Sequence, residues 1–278
     1  MKVAILGTGK MGAAVARRLA AEKVDVVLWN RTRGKAEAVG AGSVVDDPAA
    51  AAAAADLVLS VLTGPDAVRE AYAGKGGALE SADGRVFADL TTGGPGNATW
   101  LDSEVRARGG RFIEVPVLGG PGAIEAGKLL ILAGGDAATL DEARPVLQKL
   151  GEIRHIGEVG SASKLKLIAN SMLAGQSALA AELQAAGEEV GLSQSDIFWA
   201  LLRLAPGLEM RKAGYLEQRY QPVMFALRDI VKDLDLALDL YREAGAETPL
   251  VQASRGLYSD EMANHADDDM SAINARFR

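Results

Sequence analysis

The sequence predicts an α/β protein: a doubly wound, mostly parallel sheet first, then an all-helical part, the two joined by one long helix. Three observations predict this. Short apolar runs alternate with stretches rich in Ala, Leu, Arg and Glu through about the first 160 residues. Strand-like runs then cease. From Ser161 to Gly191 the chain reads as a single long helix, opened by serines that can cap its free N–H groups.

The strands come first. "KVAILG" (2–7), "VDVVLWN" (24–30), "DLVLSVL" (56–62), "RVFADLT" (85–91), "GRFIEVPV" (110–117) and "KLLILAGG" (128–135) are β-rich and bounded by glycine, proline or aspartate. Helical segments of 12 residues or more between the first four predict βαβ units, with helices on both faces of the sheet. After the long helix, further helices are expected at Ser195–Leu204, Pro206–Glu217, Phe225–Ala244, Pro249–Asn264 and Met270–Arg276. No internal repeat and no low-complexity linker interrupts this order. The expected domains are therefore 1–160, α/β, and 161–278, all-helical.

Composition narrows the function. With 49% hydrophobic and 24% charged residues, the 278-residue chain fits a globular protein of one large or two ordinary domains. A net charge of −7 argues against a general nucleic-acid or anionic-membrane binder, which needs a basic excess to meet phosphates. The absence of cysteine excludes disulfides, thiolate catalysis and cysteine metal sites. His155 and His265 are the only histidines, so no metal site is expected. The opening "VAIL" is too short for a signal-peptide core, and the alanine run Ala49–Ala55 is too short to span a bilayer. A cytoplasmic location is expected.

"GTGKMG" follows the first strand and opens a helix, the context in which a GxGxxG string binds a dinucleotide. Gly7 allows the tight turn, Gly9 the approach of a pyrophosphate, and Gly12 close packing of helix on strand. Thr8, Lys10 and Met11 complete the loop. The helix N-terminus adds N–H donors and partial positive charge. The second strand ends at Asn30, where sites for NAD place an acidic residue; Arg31 and Thr32 follow. A guanidinium suits a 2′-phosphate, so NADP (NADPH) is the expected cofactor. Arg33 and Lys35 read instead as a solvated turn.

Three further stretches carry the substrate end: "DLTTGGP" (89–95), "EVPVLGGPGAIEAGKL" (114–129) and "GEVGSASKLKLIANS" (157–171). Gly119 and Gly120 sit just after a strand, where backbone N–H groups can receive an anion. With "KDLDLAL" (232–238), this ordered set resembles the β-hydroxyacid dehydrogenase family across essentially the whole chain. That family includes 3-hydroxyisobutyrate dehydrogenase, tartronate semialdehyde reductase and the glyoxylate/succinic semialdehyde reductases. The resemblance implies an N-terminal Rossmann domain, an all-helical C-terminal domain, a homodimer or homotetramer, and a small-molecule substrate. It implies hydride transfer between a nicotinamide and a small 3-hydroxy acid, semialdehyde or keto acid, with a lysine as general acid/base.

On that pattern Lys166 falls on the catalytic lysine and Asn170 on the second residue of an asparagine pair, with Ala169 replacing the first and Ala162 a glycine. Spacing agrees: Lys166 and Asn170 are i and i+4 on one helix face, whereas Lys164 lies about 240° around from Asn170. Asn170 would orient substrate or lysine. Thr92 resembles a cofactor- and substrate-contacting threonine, and Lys232 a late lysine that reaches the cofactor; an ordinary ion pair with Asp229 or Asp233 is its other reading. Leu62 and Thr63 would line the nicotinamide ribose, although "LTGP" lacks the usual proline. The family's serine before the glycine pair is Leu118 here, which makes the substrate pocket more apolar. Two alternatives remain. One is an imine-reductase-like enzyme on less polar C=N substrates, which Leu118 favours and Lys166 opposes. The other is a non-catalytic dinucleotide-binding module, which has no need of a proton donor.

Overall fold

A computed structural model describes residues 1–278. The chain divides into two compact units, Met1–Lys166 and Leu167–Arg278.

The first unit is a nine-stranded sheet. In chain order the strands are β1 (Lys2–Leu6), β2 (Asp25–Trp29), β3 (Ser43–Val44), β4 (Leu57–Ser60), β5 (Val86–Asp89), β6 (Arg111–Glu114), β7 (Val117–Leu118), β8 (Leu129–Gly134) and β9 (Gly151–Gly157). They lie in the order β3-β2-β1-β4-β5-β6-β8-β7, with β9 on β8. The pairs from β3 through β6 are parallel. The helices between strands are α1 (Lys10–Ala21), α2 (Arg33–Glu37), α3 (Pro48–Ala53), α4 (Pro65–Ala73), α5 (Gly94–Arg106), α6 (Pro121–Glu125) and α7 (Ala137–Leu147).

Near-continuous apolar strands follow from covering both faces. Alternate residues of β1 point to opposite sides: Val3 and Ile5 join one core, Ala4 and Leu6 the other. Strand β5 does the same, with Val86 and Ala88 on one side and Phe87 on the other. Each such strand therefore removes two rows of side chains from water.

Three features of the sheet differ from the expected pattern, one being the two-residue strand β3, which none of the expected runs covers. The run at 110–117 breaks at Val115-Pro116 into β6 and β7, and β7 pairs antiparallel with β8. Proline lacks the N–H that a continuing ladder needs. Strand β9 was not among the expected strands. Its "GEIRHIG" alternates charged and apolar residues, as a half-exposed strand does, and it pairs parallel with β8.

The chain then enters α8 (Ser161–Glu189), one continuous 29-residue helix. The second unit continues with α9 (Gln194–Leu204), α10 (Lys212–Glu217), α11 (Leu227–Glu243), α12 (Pro249–Asp260) and α13 (Met262–His265). The expected helices at Pro206–Glu217 and Met270–Arg276 are partly or wholly 3₁₀: Pro206–Arg211 and Met270–Phe277 take the tighter form. Ala174, Ala178 and Ala181 of α8 keep its inner face small, and Tyr215, Tyr258, Leu227 and Ile230 pack against it. Both phenols are buried and donate to α8 carbonyls: Tyr215 to Ser177 O at 2.8 Å, Tyr258 to Ala174 O at 3.3 Å. No helix is long and apolar enough to cross a membrane.

Candidate active site

The glycine loop joins β1 to α1 at the carboxyl edge of the sheet. Gly7 has φ +96°, and a Cβ there would lie 2.4 Å from Val61 O. A Cβ on Gly12 would lie 2.0 Å from Gly7 O, so the first turn of α1 can approach the loop only as glycine. Gly9 faces open space and is the N-cap of α1, with no side-chain cap and no acid in the first turn. Thr8 Oγ1 is buried without a partner. Uncapped N–H groups, an orphaned hydroxyl and an open backbone together fit a pyrophosphate. Lys10 is exposed and Met11 half-buried at the same helix end.

At the end of β2, Asn30 braces this loop rather than facing outward. Its Oδ1 accepts from Thr8 N and its Nδ2 donates to Thr32 O, both at 3.0 Å. Thr32 is exposed and caps α2 with no side-chain bond. Arg31 is exposed and pairs with Glu70 of α4 at 3.0 Å. Arg33 is held by Glu37 and Asp46. Arg31, with a single exposed partner, is the more available guanidinium.

The loops after β4 and β5 are tied by a buried carboxylate. Asp89 accepts from Ser60 Oγ at 2.7 Å and Thr91 N at 3.1 Å, and Thr91 Oγ1 accepts from Leu62 N at 3.0 Å. Leu62 and Thr92 are half-buried and Thr63 is exposed on these loops. Burial pushes the Asp89 carboxyl up to about 6; its hydrogen bonds with Thr91 and Ser60 oppose this, and neighbouring Glu114 adds to it. Asp89 and Glu114 are register partners on adjacent strands.

Glu114 is buried too. It accepts from Gly160 N, Ala162 N and Ser163 N at 2.7, 2.9 and 3.2 Å, and from Ser163 Oγ. Burial raises its pKa, and these bonds act against the rise. Three residues on, Val117 O accepts from Lys166 Nζ at 2.7 Å. Lys166 is half-buried, whereas Lys164 is exposed. Leu118 is half-buried on β7. Gly119 follows with φ +127°, and Gly120 is the N-cap of α6.

In the second unit, Asn170 is buried and its Nδ2 donates to Asp233 Oδ2 at 2.5 Å. Lys232 Nζ lies 2.7 Å from the other Asp233 oxygen. An ionised carboxylate only accepts, so Asp233 fixes which way the Asn170 amide turns.

The structure thus gathers Gly7, Thr8, Gly9, Gly12 and Asn30 into one loop, Lys166 with the segment before Leu118, and Asn170 with Lys232 through Asp233. Sequence reasoning missed Asp89, Thr91 and Glu114; it named Asp233 only as an ion-pair partner of Lys232, a pair the structure shows, and missed its bond to Asn170. The signal for two of them was present: "VFAD" and "RFIE" are apolar strands ending in a carboxylate at the carboxyl edge of the sheet. No cluster of three or more His, Asp or Glu that could hold a metal ion is present.

Residues 2–160 match the "NAD binding domain of 6-phosphogluconate dehydrogenase", and residues 160–276 match "NAD-binding of NADP-dependent 3-hydroxyisobutyrate dehydrogenase". The chain is 30% identical to glyoxylate/succinic semialdehyde reductase 1 of Arabidopsis thaliana, over 98% of this chain and 97% of that one. It is 31% identical to the mouse (Mus musculus) cytokine-like nuclear factor N-PAC, over 98% of this chain and 50% of that protein. Among solved structures, 3-hydroxyisobutyrate dehydrogenase of Mycobacterium tuberculosis with L-serine superposes with a TM-score of 0.87 at 28% identity, covering 100% of this chain and 99% of that one.

Proposed function

The chain belongs to the β-hydroxyacid dehydrogenase family, and from that membership we propose an NADP-dependent reductase of small semialdehydes or keto acids, or the reverse dehydrogenase. The family is one of NAD(P)-binding oxidoreductases. The choice of NADP, the lysine acid/base and the substrate are our own reading.

The observation that carries the reading is Lys166, drawn inward onto Val117 O at 2.7 Å while Lys164 stays exposed. When bound, the nicotinamide supplies the hydride. Negative charge then develops on the substrate oxygen, and the Lys166 ammonium stabilises and protonates it. Asn170, with its Nδ2 on Asp233, offers Oδ1 as an acceptor for a substrate hydroxyl or for the lysine. Thr92 and the N–H groups of Gly119 and Gly120 receive the substrate carboxylate. Leu118 lines the same pocket with hydrocarbon, which favours substrates whose body is less polar.

Gly7, Thr8, Gly9, Lys10, Met11 and Gly12 hold the pyrophosphate. Arg31 and Thr32 hold the 2′-phosphate beside Asn30. Leu62, Thr63 and Lys232 line the nicotinamide side. Assembly as a homodimer or homotetramer belongs to the proposal; exposed Ile168, Met172, Leu179 and Leu183 on α8 and Trp199 on α9 support it.

The test is NADPH oxidation against glyoxylate, succinic semialdehyde, tartronate and methylmalonate semialdehydes, and cyclic imines. Turnover of one or more aldehyde or keto acids is expected. Turnover of imines alone would replace this reading with the imine-reductase-like one.

A further inference from the structure

We propose that Glu114 is a positioning residue for Lys166: it pins the first turn of α8 and offsets that helix end's positive potential, setting the lysine's reach and favouring its protonated form. The inference rests on Lys166 as the proton donor.

The carboxylate is unusual in its partners. It is 2% exposed, and the donors it meets are backbone N–H groups and one hydroxyl. Helix starts are ordinarily capped by a side chain at the helix's own N-cap position. Here the cap reaches in from β6, 46 residues upstream of Gly160. Space is kept for it: a Cβ on Gly134, its neighbour on β8, would lie 2.3 Å from Glu114 Oε1.

A second tie lies beside the first. Lys166 Nζ donates to Val117 O, three residues after Glu114. The segment 114–117 and the first turns of α8 are therefore joined at both ends. Side chains on a helix lean toward its N-terminus, so the ammonium of Lys166 reaches back toward the end that Glu114 caps. That end carries roughly half a positive charge, which disfavours an ammonium nearby. Glu114 supplies the compensating negative charge, and it does so from a buried place where screening by water is weak.

Asp89 is the register neighbour of Glu114 and is buried with it. Glu158, in the turn before α8, and Lys164 are exposed. His155 on β9 bonds Gly135 O at 2.8 Å.

The experiment reads Lys166 directly. Full-length protein is acetylated with acetic anhydride across a pH series, and the Lys166 peptide is quantified by mass spectrometry to give that amine's own titration. Glu114→Gln keeps the shape and removes the charge; Glu114→Asp keeps the charge and withdraws it by one methylene. For Glu114→Gln the Lys166 titration moves to lower pH by about one unit, and kcat falls by ~10- to 100-fold from displacement of the lysine, with NADPH affinity unchanged. Glu114→Asp lowers kcat while leaving the titration near the wild-type position. Glu114→Ala, which removes the charge and leaves room for water at the freed N–H groups, shifts the titration the same way and keeps the readout if Glu114→Gln does not fold. An unmoved Lys166 titration in folded Glu114→Gln, or in Glu114→Ala if that is the variant that folds, overturns the proposal. Because labelling does not depend on turnover, that outcome is distinct from an active Lys166→Ala, which would overturn the proton-donor reading.

Discussion

The guanidinium of Arg31 lies 3.0 Å from the carboxylate of Glu70, beside a β2 terminus where Asn30 stands in place of an acid. Glu70 thus holds the cation proposed for the 2′-phosphate. Their side chains are 76% and 58% exposed, so the pair is worth ~0–1 kcal/mol and yields readily to a better anion. Wild type is expected to bind NADPH more tightly than NADH. Arg31→Ala should cost about 1.5–3 kcal/mol with NADPH and little with NADH. Glu70→Gln should tighten NADPH by at most about fivefold, and not at all in the Arg31→Ala background. Fluorescence titration of both cofactors measures all four proteins; equal wild-type affinities would end the claim.

Leu118 is half-buried on β7, immediately before the glycine pair. A leucine donates nothing to a carboxylate, and an incompletely paired carboxylate costs about 1–3 kcal/mol. Leu118→Ser should therefore raise kcat/KM for small hydroxy acids such as serine or 3-hydroxyisobutyrate relative to less polar substrates. An unchanged ratio would mean that position 118 does not face the substrate.

What the sequence made legible, and what it did not, follows from the range of the interactions. The parallel core strands and α8 were readable because their signals are local: apolar runs of strand length, and a long stretch without proline. The glycine loop was readable because Gly7 and Gly12 answer steric demands set within a few residues. Strand β9 escaped because its alternating "GEIRHIG" lacks an apolar run. Glu114, Asp89 and the bond of Asp233 to Asn170 escaped because their meaning lies in partners far along the chain, such as Gly160 for Glu114 and Asn170 for Asp233. A lone acid in a sequence does not announce that it will be buried.

Asp89 gives a pH dependence with a definite sign. Its carboxyl is raised in the fold to about 6, from an ordinary value near 3.8. The fold therefore favours the protonated form. That contribution is whole below the unfolded value and is lost as pH rises through about 6. Asp89→Asn is isosteric, and the Asn97 Oδ1, buried without a partner, can accept from the new amide after a flip. The variant should gain stability relative to wild type as pH rises from about 4 to about 7, measured by denaturant unfolding at each pH. A pH-independent difference would show that Asp89 titrates normally.

The decisive group remains Lys166. If it is the proton donor, Lys166→Ala should keep the fold and NADPH affinity, because the glycine loop proposed to hold the phosphates belongs to β1 and α1. Turnover should fall by roughly 10² to 10⁴. Lys166→Met, which keeps the length without the charge, should be as inactive. Lys164→Ala should behave as wild type, since that side chain is exposed. Asn170→Ala should be intermediate. Asp233→Ala should act through Asn170: with its Nδ2 released, the amide loses its fixed orientation, so KM should rise more than kcat falls. Asp233→Asn, which can still accept from Asn170, should recover part of that loss. Wild-type reductive activity should fall at alkaline pH as one basic group deprotonates, and the Lys166 variants should lack that limb. A Lys166→Ala enzyme with near-normal kcat would sink the mechanism, and an inactive Lys164→Ala beside it would show that the other face of α8 carries the chemistry.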